Sequence, residues 1–392
     1  MRFAMPIPEP LRTIMLRLDS CGHRADIVGG CVRDFLLGDA PKDYDVTTDA
    51  TPDEVILALS EYRVIETGLK HGTVTVIAEG EPYEITTYRI DGEYTDARHP
   101  TSVTFTKRLG DDLARRDFTM NALAYNERDG LTDLYGGVAD IESRIIRAVG
   151  EPEKRFTEDA LRILRALRFS SVLGFEIEKG TADAMHLCRE LINRVSAERI
   201  YSEFTKLICG KNALCVIREY REVLRAAIPQ LPDSEAVKSA EAFHAADIAT
   251  RLAALFWNSD IQKLSEMMKR LRSDNKTARR AEEILSLRGA DLGSKISVRR
   301  LCSLHGEDIV RALADAIQIC GDSCDRELVF SVLSEDTPHK ISQLCINGSD
   351  LLSLGICGER VGEMLAKLLD AVMSEKLPNE REALLAFVAK NV

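Results

Sequence analysis

The chain has 392 residues, 45% hydrophobic and 29% charged, with a formal net charge of −11. It is long enough for several domains, and its acidic balance argues against indiscriminate nucleic-acid binding. No stretch approaches a membrane span, the N-terminal MRFAMPIPEPLRTIM lacks an apolar signal core, and the ten cysteines have no metal-binding spacing; together these predict a cytoplasmic protein with no membrane partner and buried, reduced thiols.

Residues 1–24 read as an amphipathic lead-in, with Leu11, Met15 and Leu18 at helical spacing. The stretch that follows, ADIVGGCVRDFLLGDAPKDYDVTT from Ala25 to Thr48, organises the rest. An apolar strand, Asp26 to Val28, enters the turn Gly29-Gly30, and Cys31 to Leu37 form a helical turn or two closed by Gly38. Glycine lets the backbone approach a ligand closely, a helix start favours negative charge, and Arg33 lies one turn in, so the segment suits a triphosphate. In Lys42-Asp43-Tyr44-Asp45-Val46-Thr47 the strand period places Asp43 and Asp45 on one face, and two adjacent carboxylates make a cation site. A Gly-Gly turn or an Asp-x-Asp alone is commonly structural; the combination at this spacing carries the argument. It resembles the signature of the tRNA nucleotidyltransferase and poly(A) polymerase family, the class II branch of the polymerase-β-like nucleotidyltransferases.

Thr51-Pro52-Asp53-Glu54 is a capping box with proline at the first helical position, starting a helix to about Leu59. Strands are expected at Arg63 to Glu66, Thr73 to Ala78 and Tyr83 to Arg89, the last two joined through Glu79-Gly80-Glu81. Glu84 reads either as an exposed strand residue or, as the resemblance implies, as a third acidic residue of the catalytic site. Ile90 to Pro100 is polar and aperiodic, a loop; in CCA-adding members of the family a similar loop takes part in switching from C to A addition. Arg115-Arg116-Asp117-Phe118-Thr119-Met120-Asn121-Ala122 matches the family motif RRDFTxNA. Arginine can hold phosphate oxygens, Asp117 can accept from a ribose hydroxyl, and Asn121 offers a donor and an acceptor; a buried Arg–Asp pair orienting a helix is the structural alternative. Asp133 to Asp140 resembles the family's hinge and is assigned no catalysis.

Glu158-Asp159-Ala160-Leu161-Arg162-Ile163-Leu164-Arg165-Ala166-Leu167-Arg168-Phe169 reads as one helix, with Asp159 and Arg162 within a turn and Arg165 and Arg168 at three-residue steps. A carboxylate accepts from the exocyclic amino group of cytosine or adenine, where uracil and guanine carry a carbonyl, and an adjacent arginine donates to ring nitrogens. The resemblance implies that Asp159 and Arg162 are this protein template, with Arg165 and Arg168 contacting nucleotide or phosphate. Ser196 to Lys206 matches SxERIxxExxK: Ser196 is a natural N-cap, and Glu198 with Arg199 buttresses the template helix. Beyond about residue 210 the chain is helical, with turn punctuation at Pro229 and Pro232. Between Lys263 and Arg300 about eleven basic residues stand against about five acidic ones, either a solvated face or a phosphate-facing one.

The resemblance implies an α+β protein: a polymerase-β-like nucleotidyltransferase head at 1–140, with a mixed β-sheet and helices, then an all-α neck at 141–210, body at 211–335 and tail at 336–392. It further implies a bacterial-type CCA-adding enzyme that uses Mg²⁺, takes CTP and ATP, acts on tRNA, and is a monomer or homodimer. Asp43 and Asp45, with Glu84, are the expected catalytic and metal-binding residues; Gly29, Gly30, Arg33, Arg116, Asp117, Asn121, Asp159, Arg162, Arg165 and Arg168 are the expected nucleotide-binding ones. A poly(A) polymerase, a partial enzyme adding CC or A alone, and a non-catalytic RNA-binding protein on the same scaffold are the alternatives.

Overall fold

The computed structural model describes residues 4–41, 43–92 and 102–391, which divide into two compact units meeting at Pro229 and Gln230. In the first unit, helix α1 (Glu9–Ser20) buries Leu11, Ile14, Met15 and Leu18, the stripe expected from the sequence spacing. Strand β1 (Ala25–Val28) is buried along its length and passes through Gly29 into helix α2 (Gly30–Leu36). Strand β2 (Asp45–Thr48) begins at Asp45, so Asp43 lies in the preceding loop and not, as expected, on the strand. On the β1 side the ladder stops there: β1 ends at Val28, opposite Asp45, and the chain turns away at Gly29.

Helix α3 (Pro52–Ala58) opens with the expected capping box, in which the Thr51 amide donates to Glu54 Oε2 at 2.7 Å and the Glu54 amide to Thr51 Oγ1 at 3.4 Å. Strands β3 (Arg63–Gly68), β4 (Thr73–Ala78) and β5 (Glu81–Thr87) form an antiparallel meander. At the β4–β5 turn both Glu79 and Gly80 have positive φ, 53° and 88°, the geometry whose twist matches paired strands. The expected third strand is shifted two residues earlier: after Thr87 the chain leaves the sheet, and β6 (Arg89–Asp91) pairs with β7 (Val103–Phe105) in a separate ribbon. The polar loop expected from Ile90 therefore begins as a hairpin arm, and residues 93–101 lie outside the described residues.

Helix α4 (Leu109–Ala114) precedes β8 (Leu123–Asn126) and β9 (Gly130–Asp133), which complete a seven-stranded sheet ordered β3-β4-β5-β2-β1-β8-β9. The β2–β5 pair is parallel and the others antiparallel, the mixed sheet expected from the sequence. In α5 (Gly137–Glu142) the first amides donate to the Asp133 carboxylate, and a Cβ at Gly137 would sit 2.3 Å from the Thr119 carbonyl oxygen, so glycine there serves close packing. Strand β10 (Ile145–Ile146) leads to α6 (Pro152–Glu158) and α7 (Leu161–Leu173), then β11 (Glu176–Ile177), parallel to β10. The helix expected across 158–169 is thus broken. Asp159 is extended, at φ −139° and ψ 103°, and its carboxylate accepts from the Leu161 amide at 3.0 Å, the local competition that interrupts helices at aspartate.

Helices α8 (Lys179–Cys188), α9 (Ala197–Ile208), α10 (Ala213–Glu219) and α11 (Arg221–Ala227) close the unit. Ser196 occupies the N-cap of α9, but its hydroxyl makes no capping bond.

The second unit is helical among its described residues, from α12 (Ala240–Ala245) to α21 (Arg381–Asn391). Part of its basic run serves local structure: Arg280 pairs with Asp247 at 3.2 Å, Lys295 and Arg299 each with Glu335 at 2.6 Å, and Arg300 with Asp370 at 2.6 Å. All ten cysteines are free. Cys31, Cys188, Cys302 and Cys320 are buried, whereas Cys21, Cys209, Cys215, Cys345 and Cys357 are exposed, so the expected burial of thiols holds for a minority.

Candidate active site

Carboxylates gather in the middle of the sheet, where β2 and β5 run side by side. The parallel β2–β5 register places Asp45 beside Glu84, so both project from the same face, and both are exposed. Asp43 stands just before Asp45 in the loop. Although solvent reaches Asp45, the surrounding protein displaces enough water to push its carboxyl above the ordinary aspartate range; Arg116 opposes that shift and Asp43 adds to it. Hard oxygen donors of this kind suit a divalent cation. Among the described residues no three His, Cys, Asp or Glu side chains form a closed metal cluster. Two carboxylates with open positions fit a cation that completes its shell with water and phosphate oxygens.

The glycine turn meets an arginine. Gly29 has φ 81°, and a Cβ there would lie 3.0 Å from Arg116 Nη1, so the guanidinium rests against bare backbone. Asp112, fully buried on α4, anchors Arg115 at 2.7 Å and Arg116 at 3.2 Å. Burial alone would raise the Asp112 carboxyl, but the two guanidinium groups outweigh it and hold the group below its usual range. Arg33, also buried, donates to Asn121 Oδ1 at 2.7 Å and pairs with Asp34 at 2.6 Å. Asn121 in turn donates to Asp117 Oδ1 at 3.0 Å, and Arg165 pairs with Asp117 at 2.6 Å. Asp117 is buried too, a cost that Arg165 and Asn121 more than offset, so its carboxyl is held far below the usual range.

Beside this network lies an open cleft of about 290 Å³ lined by Arg115, Arg116, Asp117, Asp159, Leu161, Arg162, Arg165 and Arg199. Asp159 and Arg162 both face it but are not paired with each other, because the chain breaks between α6 and α7. Asp159 is held by Arg199 at 2.8 Å, while Arg162 is held by Glu158 at 3.0 Å and donates to the Arg115 carbonyl at 2.8 Å. Arg168 is engaged by Glu203 at 2.7 Å.

The structure thus brings Asp45 and Glu84 together, with Asp43 alongside, and gathers Arg116, Asp117, Asp159, Arg162 and Arg165 on one cleft. Sequence reasoning overlooked Asp112 and Glu158 and read Arg199 as support without a cleft position. Their signal was their place beside recognised motifs: Asp112 four residues before Arg116, Glu158 adjoining Asp159, and Arg199 inside SxERIxxExxK.

Comparison with known proteins agrees along the chain. The poly A polymerase head domain model matches residues 25–147, an RNA-binding model of polymerase A matches 174–231, and the tRNA nucleotidyltransferase domain 2 model matches 243–388. The CCA-adding enzyme of Lactiplantibacillus plantarum is 34% identical over 97% of this chain and 95% of its own. That of Streptococcus sanguinis is 32% identical over 96% and 95%. The crystal structure of the Bacillus stearothermophilus CCA-adding enzyme in complex with CTP is 31% identical, with a TM-score of 0.76 and 98% of each chain covered. A likeness that runs unbroken from the head motifs through the helical regions makes this chain a member of the bacterial CCA-adding enzymes, within the tRNA nucleotidyltransferase and poly(A) polymerase family.

Proposed function

We propose that the protein builds or repairs the 3′-terminal CCA of tRNA from CTP and ATP without a nucleic-acid template, releasing pyrophosphate, and that it works in the cytoplasm. The observation that supports this most is the position of Arg116. It lies against Gly29, feels the charge of Asp45, and lines the same cleft as Asp117, Asp159 and Arg162. A triphosphate, a ribose and a base laid along that line meet, in order, a cation, a hydroxyl acceptor and an Asp–Arg template.

The primer's terminal hydroxyl attacks the α-phosphorus in line and pyrophosphate leaves. Asp43 and Asp45, with Glu84 at hand, would hold Mg²⁺, which would supply Lewis acidity and charge neutralisation at that centre. Gly29 and Gly30 admit the triphosphate close to the backbone, and Arg33 and Arg116 hold its oxygens. Asp117, kept ionised by Arg165, accepts from the ribose. Asp159 accepts the exocyclic amine shared by cytosine and adenine, and Arg162 donates beside it, so both bases are admitted and uracil and guanine are repelled. Because Arg199 and Glu158 already orient that pair, little ordering remains to be done when the nucleotide enters. On this reading 1–140 is the head, 141–210 the templating neck, 211–335 the body and 336–392 a tRNA-binding tail.

The test supplies the purified protein with tRNA ending before the first C, after it, and after the second, with Mg²⁺ and CTP, ATP or both, and sequences the products. All three are expected to finish as CCA and stop. Extension of the last alone by one A would make this an A-adding enzyme, stopping at CC would make it a CC-adding one, long A tails a poly(A) polymerase, and no extension a non-catalytic RNA-binding protein. In the same assay Asp45→Ala is expected to slow single-turnover addition by about 10³-fold or more, the equivalent of about 4 kcal/mol of transition-state stabilisation. Undiminished addition would remove the metal assignment.

A further inference from the structure

Phe169, on α7, is buried at 6% exposure, and three guanidinium groups crowd its ring. The central carbon of Arg168 lies 4.0 Å from the ring centre, that of Arg33 at 5.0 Å and that of Arg165 at 5.4 Å. The ring also meets Phe118, the residue after Asp117, edge to face at 5.9 Å and 86°. These neighbours come from separate elements: Arg33 from the helix behind the glycine turn, Phe118 from the RRDFT segment, Arg165 and Arg168 from α7 itself.

A buried phenylalanine that merely filled space would not draw like charges together, since three cations at this separation repel. Each guanidinium has its own carboxylate: Asp34 at 2.6 Å for Arg33, Asp117 at 2.6 Å for Arg165 and Glu203 at 2.7 Å for Arg168. What the three share is the ring. Carboxylate and phosphate oxygens both take the N–H edge of a guanidinium, whereas an aromatic ring takes its face, so the ring contact survives while edge partners are exchanged. When a ribose hydroxyl competes for Asp117, or phosphate oxygens for Arg33, the edge bonds change hands and the ring still holds the groups in place.

We propose that Phe169 is a positioning residue for the incoming nucleotide: one aromatic ring that keeps Arg33, Arg165 and Arg168 aimed at triphosphate and ribose. The inference rests on the nucleotidyltransferase reading above. Because the ring acts on parts that CTP and ATP share, its loss should weaken both nucleotides alike and leave the choice of base to Asp159 and Arg162.

The test places mono-, di- and trifluorophenylalanine at position 169 of the full-length protein, a series that keeps the ring's shape while weakening its negative face, with Phe169→Leu alongside. CTP and ATP affinity, KM, kcat and melting temperature are measured for each. The expected result is a stepwise and parallel loss of CTP and ATP affinity, reaching roughly tenfold for the trifluoro ring, with a KM rise larger than any fall in kcat and no matching fall in melting temperature. A flat affinity series would overturn the inference, even if Phe169→Leu fails to fold. A loss that follows melting temperature, or that falls on one nucleotide alone, would overturn it too. Wild-type protein unable to bind CTP would remove the nucleotidyltransferase reading itself, whereas wild-type binding with a flat series removes this inference alone.

Discussion

At Gly29 two constraints meet on one residue. Its φ of 81° with ψ −133° lies in a region used almost only by glycine, where an L-residue costs roughly 1–3 kcal/mol. A methyl group there would also press on Arg116 Nη1, 3.0 Å away. Gly29→Ala is therefore expected to lower the melting temperature modestly and to weaken CTP binding more than strain alone accounts for, which calorimetric titration beside a thermal melt would separate. Thiol chemistry gives a second residue-level check. Burial pushes the Cys302 thiol up to about 11 and the Cys320 thiol up to about 12, so at pH 8 both stay protonated. An aromatic disulfide reagent should label exposed Cys21, Cys209, Cys215, Cys345 and Cys357 in the native protein and reach Cys302 and Cys320 after denaturation.

Among the elements, α3 shows a local rule carried out unchanged. Thr51→Ala removes the Thr51 half of the capping box, which typically costs about 1 kcal/mol. For a first unit spanning Met1–Pro229 that corresponds to a fall in melting temperature of about 2–4 °C, with nucleotide addition intact, since Thr51 lies outside the site. The break between α6 and α7 shows the opposite. Asp159 gives up helical backbone so that its carboxylate can take the Leu161 amide and Arg199, and this turns it into the cleft. Asp159→Ala should discriminate poorly between CTP or ATP and UTP or GTP, with a loss of selectivity of roughly 10–100-fold, the worth of a good base contact. Incorporation assays with the four nucleotides in turn would read it, and preserved selectivity would mean that the template lies elsewhere.

Across the whole molecule, stability is tied to acid pH through carboxylates held by arginine. Asp112 and Asp117 in the first unit have lowered native values, burial opposing and the arginines prevailing, and Asp247 in the second is lowered against burial by the Thr250 amide and hydroxyl and by Arg280. A group whose native value is depressed stabilises the fold fully above its unfolded value, about 3.9 for aspartate, and loses that contribution as pH falls toward the native one. Protonation of exposed carboxylates relieves some self-repulsion in a chain of net charge −11, but such charges are screened and count for less. The melting temperature should therefore hold from neutrality to about pH 5 and fall below about pH 4, where circular dichroism melts would follow it. A rise on acidification would show that these paired carboxylates are net destabilising.

Much of this was legible in the chain itself, because its signals are local. Glycines at 29 and 30, the Thr51 box, the Glu79-Gly80 turn and the alternation of β4 depend on residues a few positions apart, and the motifs around Asp45, Asp117 and Asp159 named the chemistry. What the sequence could not supply was pairing across distance. That β2 begins at Asp45 depends on where β1 ends; that Glu84 stands beside Asp45 depends on a parallel register; that Asp159 turns to Arg199, Arg162 to Glu158, and Arg33 to Phe169 depends on helices packing together. Local rules act through backbone sterics and nearby hydrogen bonds and need no partner. Buried charges choose their counterions from whatever the fold brings within reach, and that choice is made only once the chain has closed on itself.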